Sequence, residues 1–148
     1  YWGASGLAAV WAESNTREDV YAALRRKETF ATSGPRIKVR FFAGLDYPAD
    51  LADDPELVAT AYALGVPMGG TLAADGERQP QFLVWAMADE SSAPLDRVQV
   101  VKGWADADGM GSDFIANHQA AGVDFATVHV WPDARGLDDQ AAADGADR

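Results

Sequence analysis

The chain has 148 residues, 48% of them apolar, with five tryptophans, no cysteine and a formal charge of −11. A chain of that length fits one domain that buries roughly two-thirds of its unfolded surface, and the missing thiols exclude a disulfide framework, a thiol nucleophile and a thiolate metal site. The negative balance excludes nucleic acid and anionic membrane surfaces as natural partners. With no run near the roughly 20 apolar residues of a spanning helix and no basic-then-apolar leader, the chain reads as soluble without a signal peptide.

Residues 1–12, YWGASGLAAVWA, are apolar and glycine-punctuated, which predicts a buried strand or loop leading into a helix. That helix is expected over 17–27: Asn15 or Thr16 caps it, Glu18 or Asp19 reaches back to the free amides, and Val20, Tyr21 and Leu24 form its apolar stripe. Arg25, Arg26 and Lys27 then suit the negative end of the dipole. Residues 29–42, TFATSGPRIKVRFF, read as strand, turn, strand in a hairpin-like arrangement. Arg36, Lys38 and Arg40 alternate there with Ile37, Val39 and Phe41, the period of two of a strand with one wet face. Ser33-Gly34-Pro35 supplies the turn.

After a loop over 45–54, Asp54 caps and Pro55 opens a second helix with Leu57, Val58, Ala61, Tyr62 and Leu64 as apolar positions, ending at Gly65. Gly65-Val66-Pro67-Met68-Gly69-Gly70 is turn chemistry, and 73–79 is a polar connector holding the hairpin-turn pair Asp75-Gly76. Strands are expected over 81–87 and 97–104, a short helix over 112–121 capped by Ser112 or Asp113, and a strand over 123–131 with Phe125, Thr127, His129 and Trp131 on one face. Residues 132–148 form an acidic, small-residue tail expected to be disordered. The fold class predicted is α+β, an antiparallel β-rich sheet or sandwich packed with two or three helices.

Several residues carry chemistry. Arg36, Lys38 and Arg40 place three cations on one strand face beside Ser33, where they either receive a small anion or form a solvated, edge-guarding face. Glu13, between Trp11 and Asn15, is either a proton-transfer carboxylate or a helix-start partner. His118 and His129, even with Asp113 or Asp124, are too few for a metal centre, so neither a metal nor a cofactor is expected; His129 alone is a candidate general base. Trp85, Trp104 and Trp131 are either a saccharide-stacking platform or core. Asp106-Ala107-Asp108-Gly109 opens like a calcium loop but lacks its closing Glu.

Two resemblances accompany this reading. The blocks GLAAVWAESNTREDVYAALRRKETFATSGPRIKVRFFAG, GVPMGG and PLDRVQVVKGW resemble, over about residues 3–107, the carboxy-terminal part of the "domain of unknown function 3604" family. That family is similar to the polymerase-and-histidinol-phosphatase (PHP) metallohydrolases. The resemblance implies a single domain over 1–131: the end of a PHP-like barrel (1–33), a β-rich appended region (34–107) and a helix-strand unit (108–131). It also implies that the histidine-bearing metal motifs lie upstream of Tyr1, leaving a non-catalytic accessory piece. GSDFIANHQAAGVDFATVHVWPD, about residues 111–133, resembles a helix and strand of glycoside hydrolase family 5 mannanases. It implies that His129 and Trp131 line a sugar cleft, although the paired Glu of such enzymes, about 5 Å apart, has no match here. The alternative to an accessory piece is thus a small hydrolase of phosphoesters or glycosides using His129 with Glu13 or an Asp. Two families joined in one short chain suggest a recombined reading frame, and residues 1–12 are a candidate self-association surface.

Overall fold

A computed structural model describes residues 6–73, 76–106, 109–123 and 125–130, and among these the side chains up to residue 101. The fold is α+β. Its centre is the strand β3 (Lys38–Gly44), with antiparallel neighbours on both sides. The short β4 (Gly65–Pro67) pairs with one edge in the register Phe42↔Pro67 and Gly44↔Gly65. On the other edge β5 (Gln81–Met87) runs from Gly44↔Gln81 to Lys38↔Met87, and β5 in turn pairs with β8 (Phe125–Val130). The order is β4-β3-β5-β8. Two antiparallel ribbons complete the strands: β1 (Leu7–Val10) with β2 (Thr29–Thr32), and β6 (Leu95–Asp106) with β7 (Gly109–Val123). Helix α1 (Arg17–Arg26) links β1 to β2, and a 3-10 turn, Leu51–Asp53, precedes helix α2 (Leu57–Leu64).

The central sheet is packed on both faces. Phe42 and Leu83 meet Leu51, Leu57, Ala61 and Tyr47 on the helix side. On the opposite side Ile37, Val39 and Ala86 pack with Leu95 and Val98, while Phe41, Phe82 and Val84 pack with Val98 and Val100. The Phe41 and Phe82 rings stack at 5.6 Å and 22°. The alternation read from residues 36–41 therefore stops at Phe42, from which Phe42, Ala43 and Gly44 are all buried, as a strand covered on both faces requires. Burying a side chain such as Phe42 or Leu83 contributes about 1.5 to 3 kcal/mol.

Tyr47 shows how the glycines serve this core. Its ring lies over the paired Gly44 and Gly65; a Cβ on Gly44 would stand 2.7 Å from the ring, and one on Gly65 would meet the phenol oxygen closer still. The phenol donates to the Ala61 carbonyl at 3.2 Å, and the Tyr47 amide donates to Gln81 Oε1 at 2.6 Å. Burial pushes the phenol pKa up to about 12.

At the start of α1 the cap is Thr16, whose hydroxyl accepts from the Asp19 amide at 3.2 Å. The Asp19 carboxylate accepts from the Ser14 and Thr16 hydroxyls, which hold its pKa below the usual carboxylate value. The helix ends at Lys27, a non-glycine residue at φ 61° whose amide bonds to the Ala23 and Leu24 carbonyls. Pro55 stands ahead of α2 rather than inside it. Asp54 still anchors that start, accepting from the Glu56 amide at 2.8 Å and the Thr60 hydroxyl at 2.9 Å.

Three expectations are corrected. The strands of residues 29–42 exist but do not pair with each other: β2 joins β1, whereas β3 joins β4 and β5. Both edges of β3 are taken by β4 and β5, leaving none for β2, and the Arg36 amide donates to Asp89 Oδ2 at 2.7 Å, tying the turn to the loop after β5. The Asp89 carboxylate is kept below its usual pKa by that bond and by the Ser91 amide. Second, 112–121 is strand within β7 rather than helix. The β-branched edge of β6 recruits it, and register shifts at Leu95/Arg97 and Val100/Val101 absorb the mismatch. Third, β1 is not buried throughout, since Leu7 is exposed. Residues 1–5 and the tail over 132–148 lie outside the described residues. Among the described residues no helix is long and apolar enough to cross a membrane.

Candidate functional site

The ribbon and the sheet meet at a cleft of about 600 Å³ bordered by Trp11, Glu13, Arg26, Glu28, Arg40 and Tyr62. Trp11, just past β1, extends the ribbon by donating its amide to the Glu28 carbonyl at 3.0 Å. Its indole Nε1 donates to the Val39 carbonyl at 2.8 Å, and its ring lies 5.7 Å from Phe30 and 6.3 Å, edge-on, from Trp85. So placed, the indole receives the Arg40 guanidinium 3.7 Å above its centroid, a cation–π contact worth about 0.5 to 2 kcal/mol according to its desolvation.

Arg40 also donates to the Tyr62 hydroxyl at 3.2 Å, and Tyr62 donates to Glu28 Oε1. The second oxygen of Glu28 pairs with Arg26 at 3.4 Å. Glu28 is 4% exposed, so these partners are what makes its burial tolerable. Tyr62 is held by α2 with its ring edge-on to Phe42 at 5.0 Å. Burial, then the bond to Glu28 and that carboxylate's charge, raises the phenol pKa above its ordinary value. Tyr62 therefore stays protonated and serves as a donor toward Glu28 and an acceptor from Arg40. Gly69 fixes the rear of the site: at φ +81° it lies where a Cβ would be 2.5 Å from the Arg26 and Lys27 carbonyls, so the GVPMGG segment can back directly onto the end of α1.

The three-cation face expected from the sequence is divided. Arg36 and Lys38 are exposed, as is Ser33 in the turn, while Arg40 enters the cleft. Glu13 is exposed on the border of that same cleft, a juxtaposition that sequence spacing does not announce. Trp85 packs against the helix-side core. His129 sits in β8 opposite Leu83, His118 in β7 opposite Val98 and Trp104 in β6 opposite Gly111. The side chains of these three lie outside the described residues, as do Trp131 and Asp108 altogether. Among the described residues no group of three or more His, Cys, Asp or Glu is placed to hold a metal ion. Trp11, Arg26, Glu28 and Tyr62 are the members that sequence reasoning did not single out for this site.

A β-rich antiparallel α+β protein with a cleft of paired charges and aromatic rings is the class that fold and site define. The chain belongs to the family described as "Protein of unknown function (DUF3604)", whose profile matches residues 1–127. It is also similar over short stretches to two proteins of Oryza sativa subsp. japonica. One is "Mannan endo-1,4-beta-mannosidase 1", 62% identical over 34 residues, covering 22% of this chain and 8% of that protein. The other is "Putative mannan endo-1,4-beta-mannosidase 5", 50% identical over 42 residues, covering 28% of this chain and 8% of that protein. The chain thus spans less than a tenth of the length of either relative. No solved structure matches it.

Proposed function

We propose that the chain is the non-catalytic, carboxy-terminal accessory part of a PHP-like hydrolase and docks on the rest of that enzyme through α1 and β1. The observation that carries this reading is the bare apolar side of that region. Tyr21 and Leu24 on α1 are 61% and 52% exposed, and Leu7 on β1 is 50% exposed, although all three are residues that a packed helix or ribbon ordinarily covers. The DUF3604 resemblance of residues 3–107 agrees with it. The test is co-expression of the chain with the amino-terminal part of a longer member of the family. The two pieces should co-purify, and Tyr21→Ser with Leu24→Ser should break the complex; co-purification unaffected by the pair of changes overturns the docking surface.

A second reading, a small hydrolase of glycosides or phosphoesters acting through His129 with Glu13 or an Asp, is favoured by the short identities to the two mannan endo-1,4-beta-mannosidases. Turnover of β-1,4-mannan or an aryl phosphate by the chain alone, abolished in His129→Ala, supports it. No turnover on either substrate rejects it.

A further inference from the structure

We infer that the cleft between the β1–β2 ribbon and the central sheet is a binding site for a small hydroxylated monocarboxylate, such as a sugar acid, with Arg40 as its anchor. The inference concerns a ligand and stands whether or not the accessory reading holds. Four charged side chains border the cleft, Arg26, Arg40, Glu13 and Glu28, and their partners divide them into two sets. Glu28 is partnered from within: one oxygen accepts a hydrogen bond from the Tyr62 hydroxyl and the other pairs with Arg26. Arg40 is different. Its recorded hydrogen bond goes to a neutral phenol, its flat face is spent on Trp11, and among the described residues no carboxylate stands within ion-pair distance of it. A guanidinium offers five N–H donors in a planar fork matched to a carboxylate. Here one donor is used and the plane is already fixed by the indole, so a bidentate partner would meet a pre-oriented fork.

The rest of the lining selects within the anions. Val58 and Pro67 offer apolar surface to a carbon skeleton, and exposed Glu13 offers acceptor oxygens to a hydroxyl. A dianion such as phosphate would place its second charge near Glu13 and Glu28 in a protein of net charge −11, which disfavours it against a monoanion. A cleft of about 600 Å³ falls in the range that takes a ligand of a dozen or so heavy atoms.

The test is calorimetric titration of the full chain with D-glucuronate, D-glucose and inorganic phosphate, with tryptophan fluorescence as a second readout. Glucuronate should bind saturably with a change in emission, and Arg40→Gln should weaken it at least about tenfold, as loss of a charge-assisted bidentate contact implies. Lys38→Gln, which removes an exposed cation two residues away, should leave it within about twofold. If Arg40→Gln fails to fold by circular dichroism, Arg40→Lys decides, since it keeps the charge and loses the fork: weakened binding supports the site and unchanged binding overturns it. Equal affinity for glucose or phosphate, equal loss in Lys38→Gln, or no glucuronate binding at millimolar concentration each overturns the inference.

Discussion

Phe42 on β3 and Leu24 on α1 are both apolar side chains on regular elements, yet the first is 1% exposed and the second 52%. The difference lies in what covers each element. β3 has a helix layer on one face and the β6 side on the other, so its second half, Phe42 to Gly44, is inside whichever way the side chains point. α1 rests on its neighbours through buried Ala23 and half-buried Val20 and leaves Tyr21 and Leu24 exposed. Propensity and capping therefore suffice to draw α1, whereas β3 is fixed by long-range packing, and the central sheet should lose far more stability to substitution than the outer face of α1.

The largest effect is expected at Leu83, fully buried at the centre of the helix-side core. Leu83→Ala should cost about 3 to 5 kcal/mol, read as a lowered urea midpoint. Next comes Gly65→Ala, whose new methyl meets the Tyr47 phenol; about 2 to 3 kcal/mol should be lost, and Tyr47→Ala in the same chain should relieve part of the clash, giving a non-additive pair.

Alkali probes the same ring. With the folded Tyr47 pKa at about 12 against about 10 unfolded, its contribution is fully present below pH 10 and disappears as pH rises through 12. The loss should reach about 2 to 3 kcal/mol, and chemical denaturation between pH 9 and 12 measures it. Tyr62→Phe, which strips buried Glu28 of a donor where the two regions join, should cost about 1 to 2 kcal/mol. At the small end, Leu24→Ser should change the stability of the chain by no more than about 0.5 kcal/mol. A Leu24→Ser loss as large as that of Leu83→Ala would break the contrast outright.

What was legible in the residues follows the same division. The capping pattern around Thr16 and Asp19 and the β-branched and aromatic run of β5 are local, and each is found where its chemistry places it; GVPMGG, read as turn throughout, is turn only at Met68-Gly69, because Gly65–Pro67 is drawn into β4 by pairing with β3. The partners of β2 and β3 are not local: residues 33–37 cross between sheets because β4 and β5, from more than twenty positions downstream, occupy both edges of β3, and Asp89 fastens the turn there. β7 likewise takes its state from the edge it pairs with and not from its own spacing. Arg40 was legible as a cation on a strand, but its place over an indole was not, because Trp11 reaches it through a hydrogen bond to the backbone of a different sheet.

The seam between ribbon and sheet has one more implication. Its fastenings, indole to Val39 carbonyl, guanidinium to indole and phenol to Glu28, are directional, unlike oily contacts that tolerate sliding. Such a joint behaves as a bracket with a set angle. Whatever grips the outer surface of α1 is thereby held at a defined orientation to β3, and force applied there is transmitted to the middle of the sheet through Arg40 instead of being absorbed in a loose hinge.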